Sequence, residues 1–76
     1  MTDAFISFSV GDMVDVKTGT GRPTPGRIAS FVNFDDEVAS AGPHPAWMRI
    51  KAVIEMGDES TVTRSLLLLE HHKPRL

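Results

Sequence analysis

Two stretches of alternating apolar and polar residues, joined by a segment that no regular element can cross, constrain the architecture of this chain most. The first runs Val10-Gly11-Asp12-Met13-Val14-Asp15-Val16-Lys17. It places Val14 and Val16 on one face and Met13, Asp15 and Lys17 on the other, the period of a half-buried strand. Thr18 to Pro25 follows, carrying Gly19, Gly21, Pro23 and Pro25. Glycine there supplies positive φ and proline a fixed φ, so the segment is expected to form a shaped loop. Gly26 to Phe34 then alternates again, with Ile28, Ser30, Val32 and Phe34 on one face and Arg27, Ala29, Phe31 and Asn33 on the other. Phe31 is thereby expected on the outer face. There it could lie in a subunit interface, and a bulge that turns it inward is an equal alternative, because a one-residue slip reverses every side chain beyond it.

The rest of the chain extends the pattern. Asp35, Asp36 and Glu37 form an acidic cluster, and the Gly and Pro residues from there to Pro45 predict a long loop without a strand. Trp47 to Met56 gives the clearest strand, with Met48, Ile50, Ala52, Ile54 and Met56 facing in and Trp47, Arg49, Lys51, Val53 and Glu55 facing out. Gly57-Asp58-Glu59-Ser60 has tight-turn composition, and Thr61-Val62-Thr63-Arg64 supplies the β-branched residues of a returning strand. Ser65 can cap a short helical turn from Leu66 to Glu70, whose leucines are divided between core and interface. The resulting plan is an N-terminal arm over residues 1–7, a small β-barrel over 8–70 and a tail over 71–76.

Composition excludes several classes of function. A single domain of 76 residues buries only about 60% of the surface of its unfolded chain, so self-association would add stability. The absence of cysteine excludes disulfides, thiolate metal sites and a cysteine nucleophile. With no secretory leader and no apolar run of spanning length, the expected location is the cytoplasm, away from membranes. The net charge of −2 argues against a domain held chiefly by nucleic-acid phosphates, which carries a basic excess or a basic face.

Short strands with irregular loops after the first and second, then a hairpin and a helical turn, resemble the SH3-like barrels over Phe8 to Glu70, with Gly11-Asp12-x-Val14 and Gly26-Arg27-Ile28 as the shared signatures. Two narrower families are also similar. The hemimethylated-DNA-binding heat-shock proteins are matched in Phe8-Ser9-Val10-Gly11, in Gly26-Arg27-Ile28-Ala29-Ser30 and in Pro45-Ala46-Trp47, while the loop from Asp35 to His44 departs from their pattern. That likeness implies a nucleic-acid partner. The type II dihydrofolate reductases share a single small barrel beginning Gly-Asp-x-Val, and the likeness implies four copies around a shared pore. Their Val-Gln-Ile-Tyr run is replaced here by Val62-Thr63-Arg64-Ser65, which leaves the reductase residues unmatched.

The chemistry offered is that of recognition. Trp47, Arg49 and Lys51 at alternate strand positions would leave one face about 7 Å apart, an indole beside two cations. Phe31 is a candidate to join them in an aromatic groove. The competing expectation is that Trp47 caps the core while Arg49 and Lys51 pair with Asp15, Glu55 or Glu59. Arg22 and Arg27, with Lys17 and Arg64, would gather at one end if the glycine loop folds back over the hairpin. His44, His71 and His72 lack metal-ligand spacing, the acidic cluster lacks the spaced oxygens of a calcium loop, and no nucleophile–base pair is evident. The sequence thus predicts an all-β, SH3-like barrel without cofactor or metal. Its expected role is a non-catalytic binding module that recognises a protein or peptide through Trp47, Arg49, Lys51, Phe31, Arg22 and Arg27. Nucleic acid is the alternative partner, homo-oligomerisation an accompanying expectation and the pore-type enzyme a further alternative.

Overall fold

Alternation builds the middle of the sheet, and one irregularity decides what its longest strand buries. The computed structural model describes residues 6–17, 19 and 21–72. Its strands are β1 (Ser7–Phe8), β2 (Met13–Val16), β3 (Thr24–Asn33), β4 (His44–Pro45), β5 (Ile50–Met56), β6 (Thr61–Ser65) and β7 (Glu70–His71). All pair antiparallel, in a five-stranded sheet of order β6-β5-β3-β2-β7 and a two-stranded sheet of β1 with β4. A three-residue 3-10 turn, Leu66–Leu68, is the one helical element among the described residues, and no helix there is long and apolar enough to cross a membrane. β6 and β7 end the large sheet without bonding to each other, so its ladder stays open.

The core draws Phe8 from β1, Val14 and Val16 from β2, Ile28 and Phe31 from β3, Ile50, Ala52 and Ile54 from β5, and Leu66 and Leu69 from the crossing beyond β6. The inward residues of β2 and β5 follow the alternation of their sequences. β3 does not. Its register runs Ile28↔Ile54 and then Ser30↔Val53, leaving Ala29 unpaired. Such a bulge inserts one residue and re-aims the side chains after it. Ile28 and Phe31, three positions apart, therefore both point inward, and Phe31 is fully buried. The outer-face expectation for Phe31 gives way to the bulge, and Phe34, expected inside, is exposed.

The ends of several elements also move. β5 begins at Ile50, because the chain from Pro45 to Met48 makes a turn closed by the Met48 N–H on the Pro45 carbonyl at 3.0 Å. The proline-rich loop does hold a strand: His44 and Pro45 pair with Phe8 and Ser7, at the margin of a two-stranded sheet where a missing donor is tolerated. β3 starts at Thr24 and passes through Pro25, just before its ladder with β5 opens at Gly26. Glu70 and His71 pair with Asp15 and Val14, so these residues belong to the sheet and not to a tail. Ser7 is likewise a strand residue, while positions 1–5 of the expected arm and 73–76 of the expected tail lie outside the described residues.

Two glycine-containing motifs have structural work here. In Gly11-Asp12-x-Val14, the Asp12 carboxylate accepts from the Ser9 N–H at 2.9 Å and Gly11 takes a φ of +97°, a turn conformation that favours glycine. In Gly26-Arg27-Ile28, a Cβ on Gly26 would sit 2.6 Å from Ile54 Cγ2 and 3.1 Å from the Glu55 carbonyl. Glycine lets β3 and β5 approach there.

Candidate functional site

Where β3 ends and β5 begins, the register Asn33↔Ile50 sets Phe34 beside Arg49. The Arg49 guanidinium carbon lies 5.8 Å from the centre of the Phe34 ring and Lys51 Nζ lies 5.3 Å from it, both within the range of cation–π attraction. Phe34 is 52% exposed, so part of the ring remains open. Lys51 also contacts Asp36 Oδ1 at 3.4 Å, and the Asp36 side chain is itself largely in solvent. An exposed pair of this kind contributes about 0–1 kcal/mol, which leaves Lys51 free to exchange partners.

The acidic cluster turns out to be part of a built turn. Asn33 Oδ1 accepts from the N–H groups of Asp35 and Glu37 at 2.8 and 3.0 Å, and Asn33 Nδ2 donates to Glu37 Oε1 at 3.2 Å. Asp36 adopts a φ of +64°, a region that Asp and Asn enter more readily than most residues. This turn fixes the backbone on which Phe34 stands. Val38, just beyond it, is 80% exposed and bridges back to Val32.

Trp47 lies in the turn leading into β5 and is 67% exposed. The expectation that it caps the core fails, and Met48 packs against the core instead. The expected partners of the cations differ too. Arg27 takes Glu55, at 3.8 Å, Asp15 takes His72, and Lys51 takes Asp36.

The predicted recognition set is therefore divided. Arg49 and Lys51 come together on the outer side of β5, with Trp47 two residues before Arg49. Phe31 is sealed in the core against the edge of the His44 ring, at a centroid distance of 4.7 Å. Arg27 sits toward the opposite end of β3, and Arg22 is exposed in the loop before that strand. Lys17 and Arg64 do meet, with Pro23, around a groove of about 270 Å³ that also involves Leu67, Leu68 and Glu70. The residue missed was Phe34. Its signal was the polar Asp-Asp-Glu turn that follows at once, which ends a strand and leaves the last side chain at a rim.

The histidines fasten strands. His44 Nε2 hydrogen-bonds the Ser40 carbonyl at 2.9 Å. His71 stacks on Phe8 at 4.5 Å and reaches the Ser7 carbonyl at 2.6 Å. His72 Nδ1 meets Asp15 Oδ1 at 2.8 Å. No group of three His, Asp or Glu side chains able to hold a metal ion occurs among the described residues. Compared with protein-family profiles, with characterised proteins and with solved structures, the chain finds no match.

Proposed function

We propose that the protein is a non-catalytic binding module of the SH3-like type, recognising an acidic peptide segment that also carries an apolar side chain. The fold part of this reading is supported by the strand order β7-β2-β3-β5-β6, by the 3-10 turn that crosses between the two outer strands, and by the long bulged β3.

The observation that carries the binding part is one exposed aromatic ring flanked by two cations, with an exposed indole beside them in sequence. Arg49 and Lys51 supply donors for carboxylates. Phe34 and Trp47 supply apolar area that a partner would cover, and aromatic residues and arginine are the usual anchors of such contacts. The acidic turn at Asp35, Asp36 and Glu37 lies against the same surface and opposes a long run of negative charge, which favours a peptide with one or two carboxylates beside its apolar residue over a phosphate backbone.

The test is selection from a displayed peptide library against the native chain and against the Trp47→Ala/Arg49→Glu variant. The expected result is enrichment of sequences combining Asp or Glu with an apolar residue, and at least a tenfold loss of their affinity in the variant. Equal binding to both proteins would overturn the proposal. Preference for single-stranded oligonucleotides, with affinity falling steeply as salt rises, would replace it with the nucleic-acid reading.

A further inference from the structure

We propose that the open edge of β6 is the contact through which two copies of this chain pair, strand against strand, across a two-fold axis at Thr63. This contact runs along the sheet edge and approaches the surface around Phe34 only at Ser65, which pairs with Lys51.

β6 bonds only to β5 among the described residues. Its sequence Thr61-Val62-Thr63-Arg64-Ser65 carries β-branched residues and neither the proline nor the lysine that commonly blunts such an edge, Arg64 being its one charged side chain. The other end of the sheet, β7, is only two residues long. Which backbone groups of β6 are free follows from the ladder. Met56 donates to the Ser60 carbonyl at 2.8 Å, and hydrogen-bonded pairs alternate along an antiparallel ladder. Val62 opposite Ile54 and Arg64 opposite Ala52 are thus bonded to β5, while Thr61, Thr63 and Ser65 turn their N–H and C=O groups outward. One side-chain contact supports this assignment. The Thr63 carbonyl accepts from Arg64 Nη1 at 3.0 Å, an interaction suited to a carbonyl left over on the open side.

Any two-fold register centred on a residue of β6 brings free groups to free groups, one centred between residues does not, and the one centred on Thr63 pairs the most. It sets Thr63 against Thr63 of the second copy, and Thr61 against Ser65 in both directions, each a hydrogen-bonded pair. Arg64 falls opposite Val62, so no like charges stand directly across the axis. The same operation carries the Leu66–Leu68 end of each copy toward the Gly57–Ser60 end of the other. Leu67 and Leu68 are 70% and 64% exposed, and the hairpin end offers a groove of about 370 Å³ lined in part by Met56 and Val62. A projecting apolar pair at one end of a strand and a groove at the other is the self-complementary arrangement that a two-fold contact requires. It favours a second copy over an unrelated strand.

The experiment is sedimentation equilibrium of the full chain over a wide concentration range, joined to amide hydrogen exchange at low and high concentration. The expected result is a monomer–dimer equilibrium from the 8.3 kDa chain. Protection at Thr61, Thr63 and Ser65 should rise with concentration, while Val62 and Arg64 stay protected throughout. Thr63→Lys, at an exposed position, places two ammonium groups opposite each other and should weaken the dimer several-fold. Arg64→Ala uncovers the Thr63 carbonyl and should leave the dimer as tight or tighter. A chain that stays monomeric at millimolar concentration overturns the proposal, as does a dimer indifferent to Thr63→Lys or one that gains no protection along β6. If Thr63→Lys fails to fold, the exchange pattern of the native chain decides alone.

Discussion

Phe31 and Phe34 stand three residues apart at the end of one strand, yet the first is fully enclosed and the second is 52% exposed. The middle of the β3–β5 pair shows that this small chain can seal large side chains, since Phe8, Phe31, Ile28 and Ile54 are all buried to within about 1%. Exposed apolar residues at the end of the same pair are therefore not overflow from a core too small to hold them. The difference between the two regions lies in what each supports. The middle holds the sheet together, and the end presents Phe34, Trp47, Arg49 and Lys51 to solvent.

The largest difference between the two regions is expected from truncating each ring. Phe31→Ala should cost about 3–5 kcal/mol, as for other buried Phe residues, whereas Phe34→Ala should stay within about 0.5 kcal/mol. Urea denaturation of the two variants measures both. Similar losses would mean that Phe34 belongs to the core and that the two regions do not differ in kind. Gly26→Ala comes next. The added Cβ meets Ile54 and the Glu55 carbonyl, and overpacking at such a site costs about 1–3 kcal/mol. An unchanged denaturation midpoint would show that β3 and β5 can move apart without penalty.

A smaller effect is expected where β7 joins the sheet. His72→Ala removes the contact with Asp15 at 2.8 Å and should cost about 1 kcal/mol, with faster amide exchange at His72, whose N–H donates to the Met13 carbonyl. If exchange there is unaffected, the backbone pairing alone holds the strand.

The smallest effect lies in the hairpin turn. The Ser60 hydroxyl donates to Asp58 Oδ1 at 2.6 Å and the Ser60 N–H at 3.1 Å, and these bonds hold the fully exposed Asp58 carboxyl below its ordinary range, the hydroxyl first. A carboxylate with a lowered folded-state pKa stabilises the fold above its unfolded pKa, and that contribution disappears as pH falls through the folded value. Ser60→Ala should raise the Asp58 titration midpoint toward the unperturbed one, read by NMR, and should flatten any loss of stability on acidification through that window.

Much of the sheet was legible in the sequence, for reasons that also explain what was not. Val14 and Val16, and Ile50, Ala52 and Ile54, lie on regular strands, where a period of two suffices to assign the buried face. The hairpin at Gly57–Ser60 announces itself by turn residues followed by β-branched ones, and Ser65 does cap the turn after it, through a 3.4 Å bond from the Leu67 N–H. Alternation leaves the face of Phe31 open and puts Phe34 on the wrong one, because a bulge at Ala29 is a property of pairing with β5, not of β3 alone. His44 and Pro45 escaped because pairing with Phe8 and Ser7 is a contact across the chain that composition does not encode. Extending the β5 alternation back through a turn puts Trp47 on a strand that begins only at Ile50. Of the recognition set, Arg49 and Lys51 were read correctly as outward neighbours because they lie at or next to the start of the regular part of β5.

The most direct test of the binding account uses Trp47, the only tryptophan in the chain, as its own reporter. In the free protein its emission should be that of an indole in water and should be quenched readily by iodide. Adding a selected acidic peptide should shift the emission to shorter wavelength and shield it from iodide, with the shift abolished in Arg49→Glu. A peptide that binds with full affinity yet leaves the emission and the quenching unchanged would place recognition elsewhere on the molecule and contradict the account.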